Sequence, residues 1–222
     1  FCNKSKEQNS ELSFADQNAE VIEHKKVNDM LIMKTKSFGE ITGELSGDCQ
    51  VKNANTVLNA IKALNSARLN ITTDNIKSAF ANVCKQTGLL GRWMKVQSSP
   101  RTFCDTGHNT GGFQYIANQL KNEKYETLRI VIGFVSDKDF THILEKLPQN
   151  AIYYFTEASV KRALPKEALV EYANKVGLKF SIFASVKDAF EKANADSSEN
   201  DMIYVGGSTF IVADLLEYLK EK

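Results

Sequence analysis

The chain has 222 residues, 42% of them hydrophobic, which suits one large domain, or one and a half small ones, around a packed core. Its 28 basic and 27 acidic side chains leave a net charge of +1, which argues against a nucleic-acid surface or a strongly acidic partner. Cys2, Cys49, Cys84 and Cys104 form no C-x-x-C pair, and His24, His108 and His142 are scattered, which argues against a zinc site, a His-based metal cluster and a disulfide scaffold.

The chain opens on Phe1 and Cys2, without Met and without an apolar signal core. No run approaches the roughly 20 apolar residues needed to span a membrane. The expectation is a piece of a longer cytoplasmic protein, with no membrane partner.

Residues 1–46 hold short β-like pieces, among them residues 30–35, with no clear alternation. In residues 47–64, Val51, Ala54, Val57, Leu58 and Ile61 fall at helical spacing and make one apolar stripe. Thr73 or Asp74 would cap a further helix through Val83, ending near Gly88. The domain boundary is expected near residues 66–69.

From Thr102 onward the pattern becomes regular. Strand-like runs at 102–104, 128–135, 151–155, 179–183 and 201–205 alternate with helix-like runs at 112–121, 138–147, 165–176, 185–195 and 209–219. This alternation predicts an α/β fold, a mostly parallel sheet with helices on both faces. The run from Arg129 to Val135 is almost continuously apolar, as a strand covered on both faces should be. Asp137, Pro165 and Ser185 stand where helices should begin.

The segment Pro100-Arg101-Thr102-Phe103-Cys104-Asp105-Thr106-Gly107-His108-Asn109-Thr110-Gly111-Gly112 concentrates the chemistry. An apolar strand runs into a carboxylate, an imidazole and a carboxamide within five residues, followed by two glycines and a helix-like pattern. In open α/β sheets, ligands bind in the turns after the carboxyl ends of strands. Turn chemistry plus a helix cap would use Asp105, His108 and Asn109 equally well. Likewise, Gly91-Arg92-Trp93 reads as a surface stack, Asp137-Lys138-Asp139 as an acidic helix start, and Gly206-Gly207-Ser208 as a tight turn or an anion site. No Gly-Lys dipeptide, G-x-G-x-x-G or G-x-S-x-G occurs, so the phosphate loop, the dinucleotide fingerprint and the nucleophile elbow are all missing.

Taken in order, the pieces resemble one family. Gly47-x-x-Gln50-x-x-Asn53, Gly91-Arg92-Trp93, Asp105-Thr106-Gly107-His108-Asn109, Gly133 with Asp137-Lys138-Asp139, Arg162 and Gly207-Ser208 are similar to the bifunctional folylpolyglutamate synthase/dihydrofolate synthases, the folate branch of the Mur ligase superfamily. The resemblance covers about residues 44–222. Two departures stand out: Thr110 replaces the proline usual after His-Asn, and Cys49 replaces an aromatic residue or His.

The resemblance implies that residues 67–222 are a C-terminal glutamate ligase domain with a Rossmann-like fold. Residues 1–66 would be the remnant of a central ATPase domain whose phosphate loop, magnesium ligands and pterin site lie in a missing N-terminal part in cis. The whole enzyme would join L-glutamate to folate or dihydropteroate through an acyl phosphate, with ATP and Mg2+, and the fragment alone would be inactive. By resemblance, Arg92 meets the ATP phosphates, Asp105 the ribose hydroxyls or an ordered water, and Asn53 the adenine. His108 and Asn109 would sit where glutamate or the transferring phosphate arrives, with ATP between the domains. No protein ligand for the metal is assigned. Another Mur-type amide ligase, such as a peptidoglycan precursor ligase, and a non-catalytic α/β binding module are the alternatives.

Overall fold

The computed structural model describes residues 1–137 and 139–221. The chain divides into two compact units, Phe1–Gly88 and Leu89–Lys222.

The first unit is built on an antiparallel sheet of β1 (Val21–Val27), β2 (Met30–Thr35) and β3 (Gly39–Gly43), after a short helix α1 (Cys2–Glu7). Alternate residues of β2 and β3 (Leu31, Met33 and Ile41) point inward. They meet Ala54 and Leu58 of α2 (Gln50–Ser66) and Ile76 of α3 (Thr73–Ala81) in one apolar core. Thr72 caps α3 in a reciprocal capping box with Asn75, and α4 (Val83–Thr87) ends on Gly88 in the left-handed conformation. The cap thus lies one residue before the two expected. The compact boundary also lies some twenty residues beyond the expected one, because Ile76 buries its side chain against this sheet.

The second unit carries a six-stranded sheet in the order β4-β5-β9-β6-β7-β8. Its strands are β4 (Met94–Ser98), β5 (Arg101–Asp105), β6 (Leu128–Ile132), β7 (Ile152–Phe155), β8 (Lys179–Ile182) and β9 (Met202–Gly206). All neighbouring pairs are parallel except β4 with β5. The helices are α5 (Thr110–Asn122), α6 (Phe140–Leu144), α7 (Lys166–Val176), α8 (Val186–Ala195) and α9 (Thr209–Lys220).

The two-residue period of the strands sorts side chains into two layers. Phe103, Ile130, Ile132, Tyr153, Phe155, Met202 and Tyr204 pack with Phe113, Ile116 and Leu120 of α5 and Leu169 of α7. Cys104, Val131, Tyr154, Ile203 and Val205 pack on the other face with Phe190 of α8 and Ile211 and Leu215 of α9. Every residue of β6 and β9 is buried, as expected of central strands covered on both faces.

The mostly parallel α/β sheet expected from the alternation is therefore present, and β4 is an addition at its edge. The α6 helix is shorter than expected. It begins after Asp139, whose carboxylate accepts from the His142 amide, and Pro148 closes the segment that follows it. Its expected first residue, Lys138, lies outside the described residues. Ser185 caps α8 as expected, and Pro165 immediately precedes α7.

Candidate active site

Connections at the carboxyl ends of β5, β6, β7 and β9 form the candidate site of the second unit. Gly133 and Gly207 let two of these connections touch. Gly207 has φ +100°, and a Cβ there would lie 2.3 Å from the Gly133 carbonyl oxygen. No other residue type fits that approach without moving backbone. Ser208 follows, and its hydroxyl accepts from the Ile211 amide at 3.2 Å to cap α9.

A second close approach joins the turn before β4 to the end of β5. The Gly91 carbonyl accepts from the Thr106 amide at 2.8 Å and from the Thr106 hydroxyl at 3.0 Å. Trp93 adopts φ +46°, a left-handed conformation that costs a bulky residue about 1–3 kcal/mol. Its amide donates to Asp105 Oδ2 at 2.7 Å, and its ring stacks on Phe103 at 5.0 Å between centroids. Asp105 Oδ1 accepts from the Gly107 amide at 2.7 Å. Both oxygens of this buried carboxylate therefore carry backbone amides. Burial raises the Asp105 pKa above the ordinary aspartate value, against the opposing pull of the two amides and of Arg92. Between Gly91 and Trp93, Arg92 stays exposed and donates to the Thr106 hydroxyl.

The sequence-predicted residues thus divide. Arg92, Asp105, His108 and Asn109 come together around the end of β5. Asn109 is the N-cap of α5, its side-chain oxygen accepting from the Gly112 amide at 2.8 Å. His108 is exposed, its Nδ1 3.2 Å from the Thr106 carbonyl oxygen. Asn53 belongs to the first unit. There it donates to Gln50 Oε1 at 3.0 Å and helps line a largely apolar cavity of about 220 Å³ with Leu31, Met33, Val57 and Phe80.

In the second unit His108 lines a cavity of about 300 Å³ with Val135, Arg162, Ser208, Thr209 and Phe210. The Arg162 guanidinium lies over the Phe210 ring at 4.8 Å, a geometry that holds a cation by its attraction to the ring face. The Arg162 carbonyl accepts from the Ser136 amide at 3.0 Å, and the Leu164 amide donates to the Phe134 carbonyl at 2.9 Å, which ties this segment to the end of β6. One cation, one imidazole and a hydroxyl around a partly apolar wall suit a small anionic ligand such as a carboxylate. Arg162, Ser208 and Phe210 were not singled out as site residues from sequence. The order of motifs pointed to Arg162 and, together with the Gly-Gly-Ser turn before α9, to Ser208, and nothing local marks Phe210. Among the described residues, no three His, Cys, Asp or Glu side chains converge as a metal site.

Residues 91–209, running from Gly91 past Ser208, match the family described as Mur ligase, glutamate ligase domain. The chain belongs to that family. Among relatives of this glutamate ligase domain, the Escherichia coli (strain K12) dihydrofolate synthase/folylpolyglutamate synthase is 29% identical over 162 residues, which cover 72% of this chain and 36% of the relative. The Mycobacterium tuberculosis folylpolyglutamate synthase, solved with ADP and AMPPCP, superposes with a TM-score of 0.84 at 21% identity, covering 98% of this chain and 51% of that one. Escherichia coli FolC, solved in complex with DHPP and ADP, gives a TM-score of 0.69 at 25% identity, covering 89% and 45%. The chain thus spans between about a third and half of the length of these proteins. Its resemblance to the folate branch and its α/β ligase-domain fold are both supported on these grounds.

Proposed function

We propose that this chain is the C-terminal part of an ATP-dependent ligase that joins L-glutamate to folate or dihydropteroate through an acyl phosphate. The observation that carries the reading is the cavity of His108, Arg162 and Ser208, which follow β5, β7 and β9 inside the matched glutamate ligase domain. Two cationic or polar donors and an aromatic wall are the chemistry that an amino-acid carboxylate needs.

In this reading Arg162 and Ser208 hold carboxylate oxygens of glutamate, and His108 faces the amine end. Proximity lowers the barrier: an amine fixed beside an activated carboxyl group reacts as if at very high local concentration. The exposed fork of Arg92 takes phosphate oxygens of ATP, where its planar donors pair two oxygens at once. Asn53, on the wall of an apolar cavity, meets the adenine edge. Asn109 contributes by fixing the start of α5, and thereby the His108 turn.

Magnesium, when bound, neutralises charge on phosphate oxygens. In this reading its protein ligands lie in an ATPase domain in cis, of which residues 1–66 are the end. The whole enzyme is placed in the cytoplasm.

The test is product analysis. The full-length protein, given ATP, magnesium, L-glutamate and dihydropteroate or a reduced folate, should release ADP and form the glutamyl amide. The 222-residue chain alone should do neither. ADP release with an amino-sugar peptide instead of a folate would move the chain to a peptidoglycan-type ligase. Turnover by the chain alone would remove the assignment to a fragment.

A further inference from the structure

Strand β8 (Lys179–Ile182) is the last in the strand order of the second unit, and among the described residues it pairs with β7 alone. A free strand edge offers unpaired N–H and C=O groups to another strand, and folded proteins blunt such edges with bulges and lysines. Two other edges of this chain are blunted in that way. β4, on the far side of the same sheet, carries Lys95 and a register shift between residues 95 and 97. β1, in the first unit, carries a shift between residues 21 and 23, followed by Lys25 and Lys26. β8 instead keeps a regular register with β7, contains no proline and holds one charge, Lys179. Its surroundings are apolar as well. Ile182 is 47% exposed and Val176, at the end of α7, is 43% exposed, the two most exposed large apolar side chains described in the second unit.

The alternation of the strand fixes which backbone groups face outward. The Phe183 amide donates to the Phe155 carbonyl of β7 at 2.9 Å. The amide and carbonyl of one residue point to the same side of a strand, and the side changes at each residue. Ser181 therefore turns its backbone toward β7, whereas the N–H and C=O groups of Phe180 and Ile182 point away from the sheet.

We infer that β8 is the docking edge for a second copy of this chain, paired antiparallel about a two-fold axis at Ser181. Self-complementarity is what selects a second copy. In this register Phe180 stands opposite Ile182 of the partner subunit, and the symmetry repeats the pair, each exchanging two backbone hydrogen bonds. Both side chains lie on one face of the strand, so an aromatic ring meets an aliphatic chain and the exposed isoleucine is covered. Ser181, small and neutral, falls on the axis, where opposed Cα atoms approach to about 4.5 Å. Lys179 stands opposite Phe183 of the partner subunit, so no like charges face each other. Such an isologous contact closes at two copies. The inference uses the sheet edge alone and is independent of the ligase reading.

Sedimentation of the 222-residue chain tests it. A four-residue edge makes a small interface of the weak class, so the range to scan is about 10 µM to 1 mM. The mass should rise from 24.8 kDa towards twice that value and stop there. Ile182→Pro should abolish the rise at an unchanged melting temperature, because its N–H points away from β7 and proline removes no bond within the sheet. If that variant does not fold, Ile182→Lys places a charge on the edge with the backbone intact and should abolish the rise equally. Amide exchange supplies a second readout: Phe180 and Ile182 should exchange freely in dilute solution and slow with association, while Ser181 stays protected throughout. A chain that remains at 24.8 kDa over the whole range would overturn the inference. So would growth beyond two copies, a dimer that the folded Ile182 variants leave intact, or a dimer in which the Phe180 and Ile182 amides exchange as in the monomer.

Discussion

Arg129 on β6 reaches Asp201 at 2.6 Å, and Asp201 also accepts from the amides of Thr127 and Ser198, each at 2.9 Å. Both side chains are nearly fully buried. Burial alone would raise the Asp201 pKa, but the Ser198 and Thr127 amides and the Arg129 charge outweigh it and hold the carboxyl below the ordinary aspartate range. A carboxyl depressed on folding stabilises the fold above its unfolded value of about 3.9 and loses that contribution as pH falls through its folded value. Acid unfolding should therefore begin below about pH 4, and Asp201→Ala should cost about 3–5 kcal/mol at neutral pH by stranding Arg129. Denaturant melts between pH 3 and 7 check both, and an unchanged midpoint in the variant would contradict the pairing. At this scale the sequence was only partly readable. Asp105, His108 and Asn109 could be recognised as a polar cluster after a strand, but which of them cap and which face a cavity depends on backbone amides that no spacing reveals. Arg162 lies more than fifty positions from His108, and only the return of β9 between β5 and β6 closes the site around them.

Among the elements, the central strands were the most legible, because burial on both faces makes them continuously apolar. The β4 edge strand was not, since an edge strand pairs on one side only and its half-exposed sequence, Met-Lys-Val-Gln-Ser, carries little apolar signal. The α3 helix was found, but not its allegiance: a helical stripe shows that a face is buried without saying against what. The turns after β6 and β9 give the sharpest prediction here. Gly207→Ala would strain a backbone at φ +100° and push a methyl to within 2.3 Å of the Gly133 carbonyl oxygen. The expected loss exceeds roughly 1–3 kcal/mol, the usual cost of a strained backbone residue. Thermal melts of the variant decide this, and an unchanged melting temperature would mean that the two turns are not in contact.

At the scale of the whole molecule, the chain carries two compact units, and only the second is spanned by the glutamate ligase domain match. The regular alternation after Thr102 made that unit readable, whereas the first unit, three short strands and three longer or shorter helices behind them, gave no such rhythm. The proposed role of the second unit is to receive glutamate in the cavity of His108, Arg162 and Ser208. Arg162 is exposed at that cavity and rests on Phe210, so replacing it leaves the core untouched. The direct measurement is KM for L-glutamate in the full-length enzyme, wild type against Arg162→Ala, with melting temperatures on the same preparations. Loss of one charge-assisted bond, roughly 1.5–3 kcal/mol, predicts a KM raised about 10- to 150-fold at unchanged melting temperature and little-changed KM for ATP. A glutamate KM equal to that of the wild type would contradict the claim.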